Sequence, residues 1–83
     1  MISITVNLLG GLHTKLDVPG FILNFPEGST IKDLEVNLNE LDIDTHSNDI
    51  IISVSGRGLH QCSPDQPLRV EDEIFIFPNI AGG

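Results

Sequence analysis

The chain is short of basic residues, of cysteine and of long apolar runs, and each shortage removes a class of function. Four lysines and arginines stand against twelve acids in 83 residues, a formal net charge of −8. Nucleic-acid binding rests on Lys and Arg neutralising phosphates, so no nucleic acid is expected as a partner. An anionic membrane surface is excluded on the same ground. No apolar run approaches the roughly 20 residues that cross a bilayer. Met1 leads at once into an alternating pattern, with no basic-then-apolar leader. Cys62 is the single cysteine. It cannot close an internal disulfide or supply a four-cysteine iron–sulfur cluster, and it fits a reducing, cytoplasmic setting. No Ser-His-Asp, paired-carboxylate or phosphate-loop pattern occurs. The acidity suits a partner with a basic docking face, and it serves solubility equally well.

What the chain does have is enough apolar residue, 40%, to build one small core. Ile2, Ile4, Val6 and Leu8 alternate with Ser3, Thr5 and Asn7, which is a strand with one apolar face. Gly10-Gly11 breaks it. Phe21 to Phe25 reads as a second strand, with Phe21, Leu23 and Phe25 on one face, and a long irregular loop joins the two. Thr30-Ile31-Lys32-Asp33 has the form of a capping box, a hydroxyl three residues before a carboxylate. Ile31, Leu34, Leu38 and Leu41 follow at helical spacing, so the helix is expected to end near Leu41.

Ile50 to Val54 is a third strand, with Ile50, Ile52 and Val54 inward. Ser55-Gly56-Arg57-Gly58 reads as a tight turn and Leu59 to Cys62 as a short edge strand. Leu68 and Val70 are expected to pack beneath a turn. Ile74 to Phe77 is an apolar run between acids and Pro78, hence a core strand. Proline has no amide donor, so normal pairing should stop there. Beyond it the side chains shrink through Ile80 and Ala81 to Gly82 and Gly83. The chain therefore divides into a domain over residues 1–78 and a flexible tail over 79–83, whose last group is the Gly83 carboxylate.

The element order predicts an α+β domain: a mixed sheet of four to five strands, one main helix on one face, and the first and last strands parallel at its centre. That is a β-grasp, or ubiquitin-like, arrangement. At this point the chain resembles the MoaD/ThiS family of sulfur carriers over essentially its whole length. The resemblance lies nearest the small subunit of molybdopterin synthase. Its carriers are Leu8-Leu-Gly-Gly-Leu-His13, Pro26-Glu-Gly-Ser-Thr-Ile-Lys-Asp-Leu34, Ile52-Ser-Val-Ser-Gly-Arg57, and Pro67 to Pro78 followed by a final Gly-Gly. The chain departs from the family pattern at four places. Glu71 stands where glycine is usual, which should alter that turn. Asn79 replaces a frequent proline, which should loosen the start of the tail. Ser55 replaces a common asparagine, and His13 replaces arginine.

The resemblance implies a chemistry for the tail. A ubiquitin-activating-like adenylyltransferase, using ATP, would convert the Gly83 carboxylate to an acyl adenylate. A sulfide or persulfide would displace AMP and leave a thiocarboxylate. The molybdopterin synthase large subunit, or another sulfur acceptor, would then take the sulfur. The carrier would bind no cofactor and would be no enzyme itself. Glycines without Cβ let partner active sites close on the thin backbone, and Ile80 and Ala81 add apolar grip. Two other uses of the same tail are a ubiquitin-like protein modifier and a thiazole-type sulfur carrier. A non-transferring β-grasp binding module is a third reading.

Docking follows from strand parity: if Ile74 and Ile76 face the helix, Phe75 and Phe77 face away beside Ser3, Thr5 and Asn7. Phe75, Phe77 and Arg57 are the candidate docking residues. Cys62 reads as an inert edge-strand thiol rather than a sulfur relay. His13, His46, His60 and Cys62 match no standard ligand spacing, and Asp42, Asp44 and Asp49 lack a calcium-loop pattern, so no metal is expected.

Overall fold

The structure, a computed structural model, describes residues 1–10 and 18–79. Among these residues, five strands and one helix follow in the order β1 (Ile2–Leu8), β2 (Gly20–Phe25), α1 (Ile31–Glu40), β3 (Ile50–Val54), β4 (Arg57–Gly58) and β5 (Glu73–Pro78), with a 3-10 turn at Leu59–Gln61. They form one mixed sheet in the order β2-β1-β5-β3-β4. β1 and β2 are antiparallel, pairing Ile2 with Phe25 and Val6 with Phe21. β5 lies beside β1 in parallel, Val6 opposite Ile74 and Leu8 opposite Ile76, as the element order predicts. On its other side β5 is antiparallel to β3, with Ile52 opposite Ile76.

The alternation in β1 decides the core. Ile2, Ile4, Val6 and Leu8 are buried with Phe25, Ile52, Val54, Ile74 and Ile76 on one face of the sheet, and Ile31, Leu34 and Leu38 of α1 close over them. The helix begins as its sequence indicates. The Asp33 carboxylate accepts the Thr30 backbone N–H at 2.8 Å and the Thr30 hydroxyl at 3.3 Å. The next two amides, which an isolated helix would leave unsatisfied, donate to the 64–66 loop: Ile31 to Gln66 O at 2.9 Å and Lys32 to Pro64 O at 3.1 Å.

The helix ends differently from the simple stripe. Leu41 is 41% exposed, and Ile43 takes the buried place at 7%. Asp42 adopts φ 65°, its N–H donates to Asn39 O, and the Ile43 N–H donates to Leu38 O at 3.0 Å. This is a Schellman stop, which reverses the chain and turns the residue after the left-handed one back onto the core.

Two further expectations change. Leu59–Gln61 is a 3-10 turn rather than part of an edge strand, and the edge strand is Arg57–Gly58. A two-residue loop, Ser55-Gly56, with φ of 49° and 90°, closes the β3–β4 hairpin earlier than a four-residue turn would. Leu68 is buried as expected, but Val70 is 71% exposed.

Candidate functional site

The strand that leads to the tail is held from every side. β5 has β1 and β3 as neighbours, and Pro78 still lies opposite Ile50 in the ladder. Leu9 N–H donates to Ile76 O at 2.9 Å. Gly10 follows at φ 62°, and a Cβ there would meet Pro78 Cδ at 2.7 Å, so only glycine fits this corner. Asn79 does not loosen the exit. Its backbone N–H donates to Asp49 O at 2.9 Å and its side-chain amide to Asn48 O at 3.1 Å. A proline could make neither bond. Ile80, Ala81, Gly82 and Gly83 lie outside the described residues, as does His13.

The start of β5 is equally well tied. Ser55 Oγ donates to Asp72 Oδ1 at 2.9 Å, and Asp72 Oδ2 accepts the Arg69 N–H at 2.9 Å. Asp72 is buried, and these bonds satisfy its carboxylate. Ser55 tolerates its left-handed backbone because Asp72 holds its side chain and Glu73 O accepts its N–H at 2.8 Å. The turn containing Glu71 closes through Asp72 N–H to Arg69 O at 3.0 Å. Its residues have no positive φ, so it has no need of glycine at Glu71.

The sheet face away from α1 carries Phe75 and Phe77, both half-buried. Phe75 lies between Asn7 and Ser53, and Phe77 lies opposite Ile51. Thr5 and Ile22 extend the face toward β2, with Ile22 62% exposed. Among the described residues no second layer covers it. The docking candidates read from the sequence leave out Ile51 and Ile22, although strand parity sets Ile51 opposite Ile50 and Ile52, and Ile22 opposite Phe21, Leu23 and Phe25. Arg57 is exposed in β4. Cys62 is buried, with Sγ 3.6 Å from Gly58 O, which fits an inert thiol.

Solved structures with this topology extend across the chain's length. A protein named as molybdopterin converting factor subunit 1 from Pyrococcus furiosus superposes with a TM-score of 0.71 and 21% identity, covering 96% of this chain and 100% of that one. Small archaeal modifier protein 1 from Haloferax volcanii, SAMP1, gives 0.68 and 15%, covering 98% and 99%. The chain has the β-grasp fold. Subunit 1 from Helicobacter pylori, solved in a complex of subunits 1 and 2 of molybdopterin-converting factor, shares this β-grasp at a TM-score of 0.65 and 18% identity, with 99% and 100% covered. No family model and no curated protein matches the sequence. Among the described residues of this β-grasp, no helix is long and apolar enough to cross a membrane.

Away from the open face, folding gathers residues that sequence spacing kept apart. Glu35 of α1, His46 of the 42–49 loop and His60 of the 3-10 turn each offer one ligand atom, all within 4.8 Å of one another. Among the described residues Asp42, Asp44 and Asp49 form no such group. A groove of about 500 Å³ runs beside the two histidines, between Ile50, Ile52 and Asn79.

Proposed function

We propose that this β-grasp chain is a sulfur carrier whose Gly83 carboxylate is activated as an acyl adenylate and converted to a thiocarboxylate. The observation that carries the reading is the anchoring of β5. A central strand, paired on both sides and fastened at Gly10 and Asn79, leads directly to the Ile80–Gly83 segment. A rigid root lets a docked body determine where a thin tail is delivered, which is how positioning lowers the barrier of a group transfer. The likeness in fold to molybdopterin converting factor subunit 1 supports molybdopterin synthesis as the pathway.

A carboxylate is a poor acyl donor, so the adenylate comes first. The Gly83 oxygen bonds to the α-phosphorus of ATP and pyrophosphate leaves. Hydrosulfide then adds to the acyl carbon and expels AMP. The cations that stabilise these charges belong to the activating partner. The open face with Phe75, Phe77 and Ile51 is the docking surface, for the adenylyltransferase first and for a large subunit that accepts the sulfur second. Arg57 at the sheet edge would pair with a partner acid.

Incubation with the adenylyltransferase, ATP and a sulfur source should exchange one oxygen for one sulfur at the C-terminus, seen by intact-protein mass spectrometry. Removal of Gly83 should abolish the exchange. An unchanged mass with a competent enzyme rejects the reading. The likeness to SAMP1 favours a second use of the same activated tail, joining it to lysines of other proteins. A tagged carrier recovered in covalent conjugates from cells would select that use.

A further inference from the structure

We infer that Glu35, His46 and His60 form a binding site for a borderline divalent transition-metal ion, of which zinc is the representative. Two imidazoles and a carboxylate make a three-ligand set with a fourth position left to water, a combination suited to zinc, copper or nickel rather than to calcium or magnesium. The three side chains come from three separate segments. His46 Nε2 already lies 3.7 Å from Glu35 Oε2, and the two rings face one another with centroids 5.1 Å apart. Ligand atoms within 4.8 Å must close to about 3.3 Å, the edge of a tetrahedron with bonds near 2.0–2.1 Å. The movement is available: the His46 side chain is 72% exposed on a loop, and Glu35 has three rotatable bonds.

His60 shows that the site is supported from behind. Its Nε2 is 2.7 Å from Thr45 O. A carbonyl can only accept, so Nε2 carries the proton, and Nδ1 of the neutral ring keeps a lone pair for a metal. Metal-binding histidines are regularly oriented by such a bond from the other nitrogen to a backbone carbonyl. Thr45 is itself buried and clamped. Asn39 Oδ1 accepts the Thr45 N–H at 3.1 Å, and Asn39 Nδ2 donates to Thr45 Oγ1 at 3.1 Å and to Glu35 O at 3.0 Å. One side chain of α1 thus positions the backbone of the Glu35 turn and, through Thr45, the ring of His60. The same loop supplies the Asn48 and Asp49 carbonyls that hold Asn79.

The test is calorimetric titration of the untagged full chain with zinc chloride. One ion should bind per chain, saturably. His46→Ala and His60→Ala should each weaken binding at least tenfold, and Glu35→Gln should weaken it measurably. Cys62→Ser should leave it unchanged. Circular dichroism of each variant checks that the fold persists. Histidine ring NMR signals supply a second readout on the unmutated chain: zinc should shift those of His46 and His60. Absence of saturable uptake, unchanged wild-type affinity in either histidine variant, loss of binding in Cys62→Ser, or shifts confined to His13 would each overturn the assignment.

Discussion

The two faces of β5 have the same backbone and opposite fates. Ile74 and Ile76 point under the helix and are 0% and 1% exposed. Phe75 and Phe77 point the other way and remain half-buried, although each is larger than an isoleucine. A fold optimised only for stability would cover its largest apolar side chains first. In β5 the isoleucines Ile74 and Ile76 fill the space beneath α1 beside Phe25 of β2, while the strand's own aromatics, Phe75 and Phe77, stay on the other face. The difference teaches that one face maintains the domain, while the other keeps the half-buried aromatics that the proposed docking surface requires. Asn7 and Ser53 flank Phe75 on that face, and the Asn7 side-chain amide donates to Ile74 O at 3.2 Å. An apolar centre with a polar surround is the usual anatomy of a separable interface.

The largest effect should come from the covered face. Ile76→Ala leaves a cavity among residues that cannot collapse into it, and should cost about 2–5 kcal/mol of stability by chemical denaturation. Its effect on partner affinity should be small in the fraction that stays folded. Phe77→Ala should reverse the ranking. It should weaken docking by on the order of 2 kcal/mol, roughly thirtyfold by calorimetry against the activating enzyme, at a stability cost of about 1–2 kcal/mol. If Phe77→Ala destabilises as much as Ile76→Ala and docks normally, the distinction between the faces is broken. The smallest effect belongs to the strand's exit. Asn79→Pro removes the N–H that Asp49 O accepts and should cost about 1 kcal/mol in thermal denaturation. It should also speed amide exchange around Ile50 without weakening docking.

Much of this was readable before folding. Period-two alternation assigned Ile2 to Leu8 to a half-buried strand and placed Phe75 and Phe77 opposite Ile74 and Ile76. The Thr30–Asp33 pair marked the helix start. These signals are local: each depends on residues within one or two turns of chain. The misread places depend on contacts or backbone conformations that residue spacing does not encode. Leu41 continues the helical stripe on paper, but the left-handed Asp42 hands the core position to Ile43. Leu59 to Cys62 has strand composition, but the Ser55-Gly56 loop ends the hairpin early and the chain turns under the sheet. Asn79 stands where the family pattern has a proline, and only the fold brings the Asp49 carbonyl to its amide.

By itself the amino-acid order determined most of the elements and most of their inward faces, the parallel central pair and the small-residue ending, because alternation, capping and side-chain size act along the chain. Only the tertiary structure decided which residues from distant segments meet. It brought Gly10 against Pro78, Ser55 against Asp72, and Glu35 beside His46 and His60. The physical reason is that such meetings follow from the packing of helix on sheet and the direction of each loop, which no spacing rule along one strand or helix contains.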